Sequence, residues 1–224
     1  MKLLPSVSRS WRLAPGVHAV AADDDLVILD VSADAYFCLP GGARAFILRA
    51  DRSVSIDDPG LAAELQAAGL IDAVAVIPLS SERPAPESPR ASAVRTLTAP
   101  PSAGDLYEAA ICAVDVAFSY RRRSFAELVD RAARYPVRPS GPLEPLSEVV
   151  DRFHRWIPFA PVSAKCLLRS HMLLRLLRRK GHDAQWVFGV ATWPFRAHCW
   201  LQVGETVLDD SLEHLAPFHP IMVV

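Results

Sequence analysis

A proline-rich stretch divides this chain of 224 residues into two parts. Residues 78 to 101 read PLSSERPAPESPRASAVRTLTAPP, with six prolines among serines and alanines. Proline fixes one backbone torsion and lacks the N–H group that helices and sheets need, so this stretch disfavours both. We therefore predict a partly extended linker over residues 79–101, with one domain before it at 1–78 and another after it at 102–224.

Composition and charge limit the classes of partner. Hydrophobic residues make up 51% of the chain, which is enough for a packed core, and the formal net charge is −1. A net charge so close to zero produces no overall electrostatic attraction to nucleic acid or to an anionic membrane. The chain also lacks an apolar run of membrane-spanning length and the apolar core of a signal peptide. We therefore expect a cytoplasmic protein with no nucleic-acid partner and no membrane span.

The cysteines do not follow the spacing of a metal or redox motif. The chain has four, without a CxxC pair: Cys38, Cys112, Cys166 and Cys199. This pattern argues against a zinc site and against a thioredoxin-type site, and the histidines show no ligand spacing either. A phosphate-binding glycine loop is also missing from the sequence. We therefore predict reduced thiols, no metal and no other cofactor.

The first part of the chain reads as a small α+β module. Three segments rich in β-branched or aromatic residues predict strands: VHAVAA (17–22), LVILDVS (26–32) and AYFCL (35–39). Two later segments predict helices, GARAFILRA (42–50) and DDPGLAAELQAAGLI (57–71), the second with a proline in its first turn and a glycine near its end. VAVIPL (74–79) predicts a last extended piece.

The segments LDVSADAYFCLPGGARAFIL and LAAELQAAGLID resemble a known peptide-recognition domain, typified by the small chaperone of pyrroloquinoline quinone biosynthesis. That family combines a three-stranded sheet with a winged-helix-like bundle, and it binds the leader of a precursor peptide as an added strand at the sheet edge. Such β-augmentation gains affinity from backbone hydrogen bonds and register from side-chain pockets. The resemblance implies these substrate-binding residues: Tyr36, Phe37, Cys38, Leu39, Leu61 and Leu65.

A cysteine near a predicted helix start is the first candidate catalytic residue of the second part. Helices are predicted within 102–136 and 143–159, and a further helix would follow Ser163 as its N-cap. Cys166 would then be the third helical residue, close to unpaired backbone N–H groups and the positive helix end, which favour a thiolate. We expect that helix to stop at Gly181.

A histidine and an aspartate complete the chemistry that a thiolate nucleophile needs, a base and a carboxylate that orients it. Strands are predicted at AQWVFGVA (184–191), AHCWLQV (197–203) and TVLDDS (206–211). His198 lies on the second strand, on the opposite face from Cys199. A strict two-residue loop at 204–205 would bring Asp209 to the face of His198, whereas a longer loop or a bulge would bring Asp210 there.

The segments KCLLRS, HCWLQV and VLDD are similar to the transglutaminase-like superfamily of papain-type folds, and more narrowly to the leader peptidases of lasso peptide biosynthesis. The resemblance implies a catalytic triad of Cys166, His198 and Asp210, because the family's interval from histidine to aspartate favours the second aspartate. Cys199 stands where the family commonly has alanine, and we expect it to point away from His198 and to leave the chemistry alone.

The two resemblances together match the B protein of lasso peptide biosynthesis in its fused form, an α+β fold in which a recognition domain is linked to a papain-like or transglutaminase-like peptidase domain. They imply a cysteine peptidase that removes the leader of a ribosomal precursor peptide by Cys-His-Asp catalysis. The implied partners are the precursor peptide and a separate ATP-dependent, asparagine-synthetase-like cyclase. The alternatives are acyl transfer to an amine and a catalytically silent peptide-binding adaptor.

Several supporting roles are assigned more weakly. The backbone N–H of Cys166 is the predicted donor to the oxyanion, with Gln185 and Gln202 as side-chain candidates. The remaining histidines of this part are expected to serve in packing or at the surface: His154, His171, His182, His214 and His219.

Overall fold

A computed structural model describes the protein at residues 11–49, 51–73, 85–95, 99–139, 141, 143–160 and 165–224. The chain divides into two compact units, Met1–Ser81 with Thr192–Pro194, and Glu82–Ala191 with Phe195–Val224. The division after Ser81 falls within the predicted linker, and the roles of the two units stay predictions. No helix in the described ranges is both long and apolar enough to cross a membrane.

The described residues of the first unit form mainly short strands. In chain order its elements are β1 (Trp11–Leu13), β2 (Val17–Ala22), β3 (Asp25–Asp30), β4 (Ala35–Leu39), β5 (Phe46–Leu48), β6 (Ser53–Ile56), α1 (Pro59–Ala67) and β7 (Ile71–Ala73). Strands β2, β3 and β4 form an antiparallel sheet in that order, at the three segments where the sequence predicts strands. Strands β5, β6, β1 and β7 form a second antiparallel sheet, which the sequence pattern does not predict.

The helix predicted over residues 42–50 is wrong. Gly42–Arg44 form a turn of 3-10 helix, and the following residues form β5. Phe46 pairs with Ile56 on β6 and is buried in the core of the unit, so tertiary packing overrides the helix propensity of this segment. Among the described residues of the first unit α1 is the single α-helix, so the winged-helix-like bundle is not seen there.

Helix α1 is shorter than the predicted 57–71, since Ile71 already belongs to β7, but it uses the predicted start and stop residues. The carboxylate of Asp58 caps the helix by accepting the N–H of Gly60 at 2.8 Å, and Pro59 occupies the first turn. Gly69 follows the helix end with φ +71°, a left-handed conformation that glycine adopts without steric cost. The extended piece predicted over residues 74–79 lies outside the described residues.

The second unit joins helices to a five-stranded sheet. Its described helices are α2 (Ala103–Ser119), α3 (Phe125–Arg134), α4 (Leu146–Trp156), α5 (Cys166–Arg179) and α6 (Leu212–Leu215). Its described strands are β8 (Ala91–Ser92), β9 (Gln185–Ala191), β10 (Arg196–Val203), β11 (Thr206–Val207) and β12 (His219–Val223). The order across the sheet is β12, β9, β10, β11, β8. Strand β9 pairs antiparallel with β12 and β10, and β10 pairs antiparallel with β11. Strand β8 runs parallel to β11.

Strand β8 lies inside the predicted linker, where the prolines predict no sheet. Ala91 pairs with Thr206 of β11, and the hydroxyl of Ser92 donates to the backbone carbonyl of Asp210 at 2.6 Å. The strand has only two residues and lies at the sheet edge, a position at which a nearby proline such as Pro89 is tolerated. The predicted linker is therefore hydrogen-bonded to the segment that follows β11.

Strand β10 is buried on both of its faces from Cys199 to Gln202. On one face Trp200 packs in a cluster with Val187, Leu215 and Phe218. Toward the other face lies α5, since the ring of its His171 packs 5.8 Å from that of Trp186, which pairs with Leu201. This arrangement brings the first turn of α5 beside the first half of β10, where His198 stands.

Candidate active site

Cys166 is the first residue of α5. The N-cap is Lys165, whose side chain makes no capping hydrogen bond, and the carbonyl of Lys165 accepts the N–H of Arg169 at 3.1 Å. Cys166 is therefore the first helical residue and not the third, and Ser163, the predicted N-cap, lies outside the described residues. The physical consequence is unchanged, because the N–H groups of the whole first turn have no partner within the helix.

The structure brings together the three residues of the predicted triad. Nε2 of His198 donates to Oδ2 of Asp210 at 2.6 Å, and the same ring is hydrogen-bonded to the Cys166 thiol. Since Asp210 occupies Nε2, the nitrogen left for the thiol is Nδ1. His198 is thus held between a carboxylate and a sulfur, as a base that serves a thiol nucleophile must be.

The charges of this cluster favour a thiolate–imidazolium pair. Hydrogen bonds from Cys199 and then from His198 lower the pKa of Cys166 to about 4, against the opposing effect of burial. Burial disfavours the charged form of His198, but its hydrogen bonds to Asp210 and Cys166 outweigh burial and raise its pKa to about 9. Between those two pH values the pair is charged, and the sulfur is present as the nucleophilic form.

His214 is a further partner of the carboxylate that the sequence reasoning missed. Its Nδ1 lies 2.9 Å from Oδ1 and 3.0 Å from Oδ2 of Asp210. Burial would raise the pKa of Asp210, yet the hydrogen bonds from His198 and His214 and from the N–H of Ser211 lower it to about 2. The available signal was the interval of four residues between Asp210 and His214 across the N-cap Ser211 of α6.

The same residues could in principle hold a metal ion. Within the described residues, His198, Asp210 and His214 offer ligand atoms that lie within 4.8 Å of one another. Two imidazoles and a carboxylate are a donor set that zinc accepts. Here Asp210 accepts hydrogen bonds from both rings, so the donor atoms face one another, and we assign the cluster to hydrogen bonding. The predicted absence of a metal stays a prediction.

The choice between the two aspartates depends on where the β10–β11 ladder ends. The hairpin loop has two residues, because Val203 pairs with Thr206, and this register predicts that Asp209 faces His198. The ladder instead stops after Leu208, whose N–H donates to the carbonyl of Leu201 at 2.8 Å. The N–H of Leu201 then donates to the side chain of Asp209, at 2.8 Å, so the chain turns out of the sheet. This turn carries Asp210 to the imidazole.

His154 binds the carbonyl of Leu208, at the point where the chain leaves the β10–β11 ladder. Its Nε2 lies 2.7 Å from the carbonyl oxygen of Leu208, and its Nδ1 lies 3.3 Å from Nη2 of Arg169. Arginine only donates, so Nδ1 accepts from Arg169, and the protonated Nε2 donates to the carbonyl oxygen of Leu208. Burial, reinforced by the charge of Arg169, lowers the pKa of His154 and keeps the ring neutral. His154 therefore links α4 to the aspartate turn, a role beyond the packing that we expected.

Cys199 interacts with Cys166, which was not expected from the sequence. Both its side chain and its backbone N–H are hydrogen-bonded to the Cys166 sulfur. The alternation of β10 does turn Cys199 to the face opposite His198, but α5 lies toward that face and starts with Cys166. Strand alternation correctly predicted which face of β10 carries Cys199, but it did not predict that α5 packs toward that face.

Neither glutamine proposed as an oxyanion donor lies near Cys166. The amide of Gln202 is fully buried and donates to the carbonyls of Glu87 and Gly204, at 2.6 and 2.7 Å. Gln185 pairs with Gln202, four residues along β10 from His198, or about 13 Å at the usual rise of a strand. Both assignments are therefore wrong, and the backbone N–H of Cys166 remains the predicted donor. His171, expected at the surface or in packing, is buried.

The predicted peptide-binding residues of the first unit differ in exposure. Among the described strands β4 pairs only with β3, so it is an edge strand of its sheet. Phe37 is 41% exposed, Cys38 is exposed, and Leu39 is partly buried like Tyr36. On α1, Leu61 packs against the core from a partly exposed position. Leu65 is only 5% exposed within that core, so its predicted contact with a peptide is contradicted.

Comparisons with known proteins agree with the geometry of the second unit. Residues 110–223 match the transglutaminase-like superfamily, and this range includes the whole Cys-His-Asp cluster. A segment of 46 residues is 44% identical to the microcin J25-processing protein McjB of Escherichia coli, and it covers 20% of this chain and 22% of McjB. The match thus spans about a fifth of that relative. No solved structure matches. Since the superfamily match covers half of the chain, this protein belongs to the transglutaminase-like superfamily.

Proposed function

We propose that this protein is a cysteine peptidase that removes the leader from a ribosomally made precursor peptide of the lasso type. The observation that carries the proposal is the position of His198, hydrogen-bonded to Asp210 at 2.6 Å on one side and to the Cys166 thiol on the other. The similarity to a microcin-processing protein supports a precursor peptide as the substrate class, over the short segment that matches.

The chemistry begins with the Cys166 thiolate, which attacks the scissile carbonyl and forms a tetrahedral oxyanion. We assign the stabilisation of that charge to the N–H of Cys166, the first residue of α5. The oxyanion collapses to a thioester as His198 gives a proton from Nδ1 to the leaving amine. His198 then takes a proton from a water molecule, which hydrolyses the thioester and frees the sulfur. Asp210 orients the ring throughout and stabilises its positive charge.

Leader recognition is assigned to the edge strand β4. A leader bound there as an added strand would use the backbone groups of residues 36–39 and would rest against Phe37, whose side chain is already exposed. Leu39 and Leu61 both pack against the core while keeping part of their surface exposed, so they offer apolar contacts beside the strand. A tethered leader raises the local concentration of the scissile bond at Cys166.

The product determines the next reaction. Cleavage leaves the core peptide with a new amino terminus, and closing a lasso ring requires this amine to be joined to an activated side-chain carboxylate. That step belongs to the predicted partner, an ATP-dependent cyclase of the asparagine-synthetase-like type. The proposed peptidase chemistry itself uses only the chain's own side chains and water, and we assign the whole sequence of reactions to the cytoplasm.

The test is incubation of purified protein with a precursor peptide encoded beside its gene, followed by mass spectrometry. We expect two fragments whose masses add to that of the precursor plus one water, and no fragments with Cys166→Ala. Leader binding by Cys166→Ala, measured by fluorescence anisotropy, should equal that of the wild type. Cleavage by Cys166→Ala would refute the mechanism. A product that has lost ammonia would instead identify acyl transfer, and binding without any product would identify an adaptor.

A further inference from the structure

Two cysteine side chains meet at the start of α5. The thiol of Cys199 is hydrogen-bonded to the Cys166 sulfur, and so is the backbone N–H of Cys199. A separate contact brings the same two segments together, since the Ser170 hydroxyl, one helical turn after Cys166, approaches the carbonyl oxygen of Cys199 at 3.4 Å. The two thiols thus interact across the α5–β10 packing, and both cysteines are reduced in this structure.

The two thiols differ in access and in charge. Cys166 is partly exposed, and its lowered pKa makes it a thiolate at neutral pH. Cys199 is only 3% exposed, and its pKa is raised well above the ordinary range, first by the hydrogen bond with Cys166 and then by burial. A small oxidant from solvent therefore meets the thiolate of Cys166, while Cys199 is held as a protonated thiol behind it.

We propose that Cys166 and Cys199 form an oxidative modification site, in which a hydroperoxide oxidises Cys166 and Cys199 then closes a disulfide with it. This assigns a role to the residue that departs from the alanine common in the resembled family. The inference concerns the thiols themselves, and it holds whichever peptide or amine the enzyme acts on.

The two steps balance without any further reactant. In the first, the Cys166 thiolate attacks the distal oxygen of the hydroperoxide, the O–O bond breaks, and Cys166 becomes a sulfenic acid while the hydroperoxide is reduced to an alcohol or water. In the second, the Cys199 sulfur attacks the sulfenic sulfur, its proton leaves with the departing hydroxyl as water, and a disulfide forms. Two thiols have then lost two electrons to one hydroperoxide.

The other two cysteines are not placed for this reaction. Cys112 is buried on α2, where it accepts from Nη2 of Arg179 at 3.2 Å. Arg179 is the last residue of α5, so its backbone lies about 20 Å along the helix from Cys166 at the usual rise per residue. Cys38 is an exposed residue of β4 in the other unit. Both serve as internal controls.

The consequence is a reversible loss of the nucleophile. A disulfide at Cys166 removes the thiolate, and a thiol reductant restores it, whereas further oxidation to a sulfinic acid is irreversible for thiol reductants. Cys199 would thus protect the enzyme from permanent inactivation by the same oxidant that switches it off.

The test uses the full-length protein, two molar equivalents of hydrogen peroxide, which is what oxidation of one thiol to a sulfinic acid consumes, and tryptic mass spectrometry after alkylation in denaturant. Trypsin cuts after Lys165, Arg169 and Arg196, so the two cysteines fall in separate peptides, 166–169 and 197–224. We expect the wild type to yield these peptides linked to one another, at the mass of their sum less two hydrogens, and to return to two alkylated peptides after dithiothreitol. Cys38→Ser should behave identically.

Replacement of Cys199 distinguishes the proposed disulfide from irreversible oxidation of Cys166. In Cys199→Ser and Cys199→Ala we expect peptide 166–169 to gain two oxygens at the same peroxide dose, and dithiothreitol not to reverse the gain. Far-ultraviolet circular dichroism checks that each variant is folded, and Cys199→Ala covers the case in which a buried serine is not tolerated. The proposal is overturned if wild-type Cys166 accumulates the sulfinic acid while Cys199 remains open to alkylation.

Discussion

Asp209 and Ser170 are joined by a hydrogen bond of 2.6 Å between Oδ2 and Oγ, and both residues are buried. Ser170 stands one helical turn after Cys166, and Asp209 directly precedes Asp210. This bond therefore ties the helix that carries the proposed nucleophile to the turn that carries its proposed carboxylate partner. The two neighbouring aspartates have different tasks: Asp210 meets the imidazole, and Asp209 holds the turn in place.

Replacing each aspartate should separate these tasks. We expect Asp210→Ala to lower kcat/KM on the precursor peptide by about a hundredfold or more, because His198 loses its orienting partner. Asp209→Asn keeps the size of the side chain and an acceptor for the N–H of Leu201, so its kcat/KM should stay within about tenfold of wild type. The reverse order of effects would mean that Asp209 is the triad carboxylate.

Asp209 should also make stability depend on pH. Burial raises its pKa from 3.8 to about 6, against hydrogen bonds from Leu201 and Ser170. As pH rises between those values, the unfolded chain releases a proton that the folded protein keeps, so the free energy of unfolding falls, by up to about 3 kcal/mol. We expect urea denaturation to show wild type losing this stability relative to Asp209→Asn between pH 4 and pH 7. A constant difference would contradict the shift.

The thiolate–imidazolium pair predicts the pH dependence of alkylation. With a pKa of about 4 for Cys166, the rate of its reaction with iodoacetamide should rise through that pH and stay level to pH 8. Cys38, whose pKa is raised by burial and then by Asp25, should react fast only in alkaline solution and serves as the reference in the same sample. In His198→Ala, the pH at which the alkylation rate of Cys166 rises should shift upward, toward the pH at which ordinary thiols react. A Cys166 profile that follows Cys38 would exclude the ion pair.

A charge on strand β4 tests the assigned recognition edge. Phe37→Asp should weaken leader binding by about tenfold or more in fluorescence anisotropy, since the exposed apolar side chain that the leader would cover is replaced by a carboxylate. Ala21→Asp is the matched control, because Ala21 is also exposed but lies on β2, at the opposite edge of the same sheet. Equal effects of the two substitutions would show that the leader does not add to β4.

Gly189 lies opposite His198 in the β9–β10 register and leaves no room for a side chain. A Cβ there would stand 2.7 Å from Cζ3 of Trp200 and 3.2 Å from Cβ of Phe218. We expect Gly189→Ala to cost about 1–3 kcal/mol of unfolding free energy and to lower activity, because the displaced rings contact His198. Gly141→Ala is the control, since nothing lies within 4 Å of its added Cβ. A Gly189→Ala protein as stable and active as this control would refute the argument.

Local patterns in the sequence predicted much of the site. Strand alternation and turn residues identified β2 to β4 and β10, and a resemblance in short motifs selected Cys166, His198 and Asp210, which lie together in the structure. These features are local, because the period of a strand or helix and the spacing within a motif depend on neighbours along the chain. The failed helix at 42–50 shows the limit, since pairing with β6 decided that segment.

The tertiary structure decided what depends on residues far apart in the chain. The sequence left the length of the β10–β11 loop open, and the two-residue loop that is observed would have pointed to Asp209, because no local signal says that the ladder ends at Leu208. His154 of α4 binds the carbonyl of Leu208, and Ser170 of α5 binds the carboxylate of Asp209. These two contacts determine where the ladder ends. The contact of Cys199 with Cys166 arises in the same way, since sequence alternation determines the face of a residue and only packing determines its neighbour.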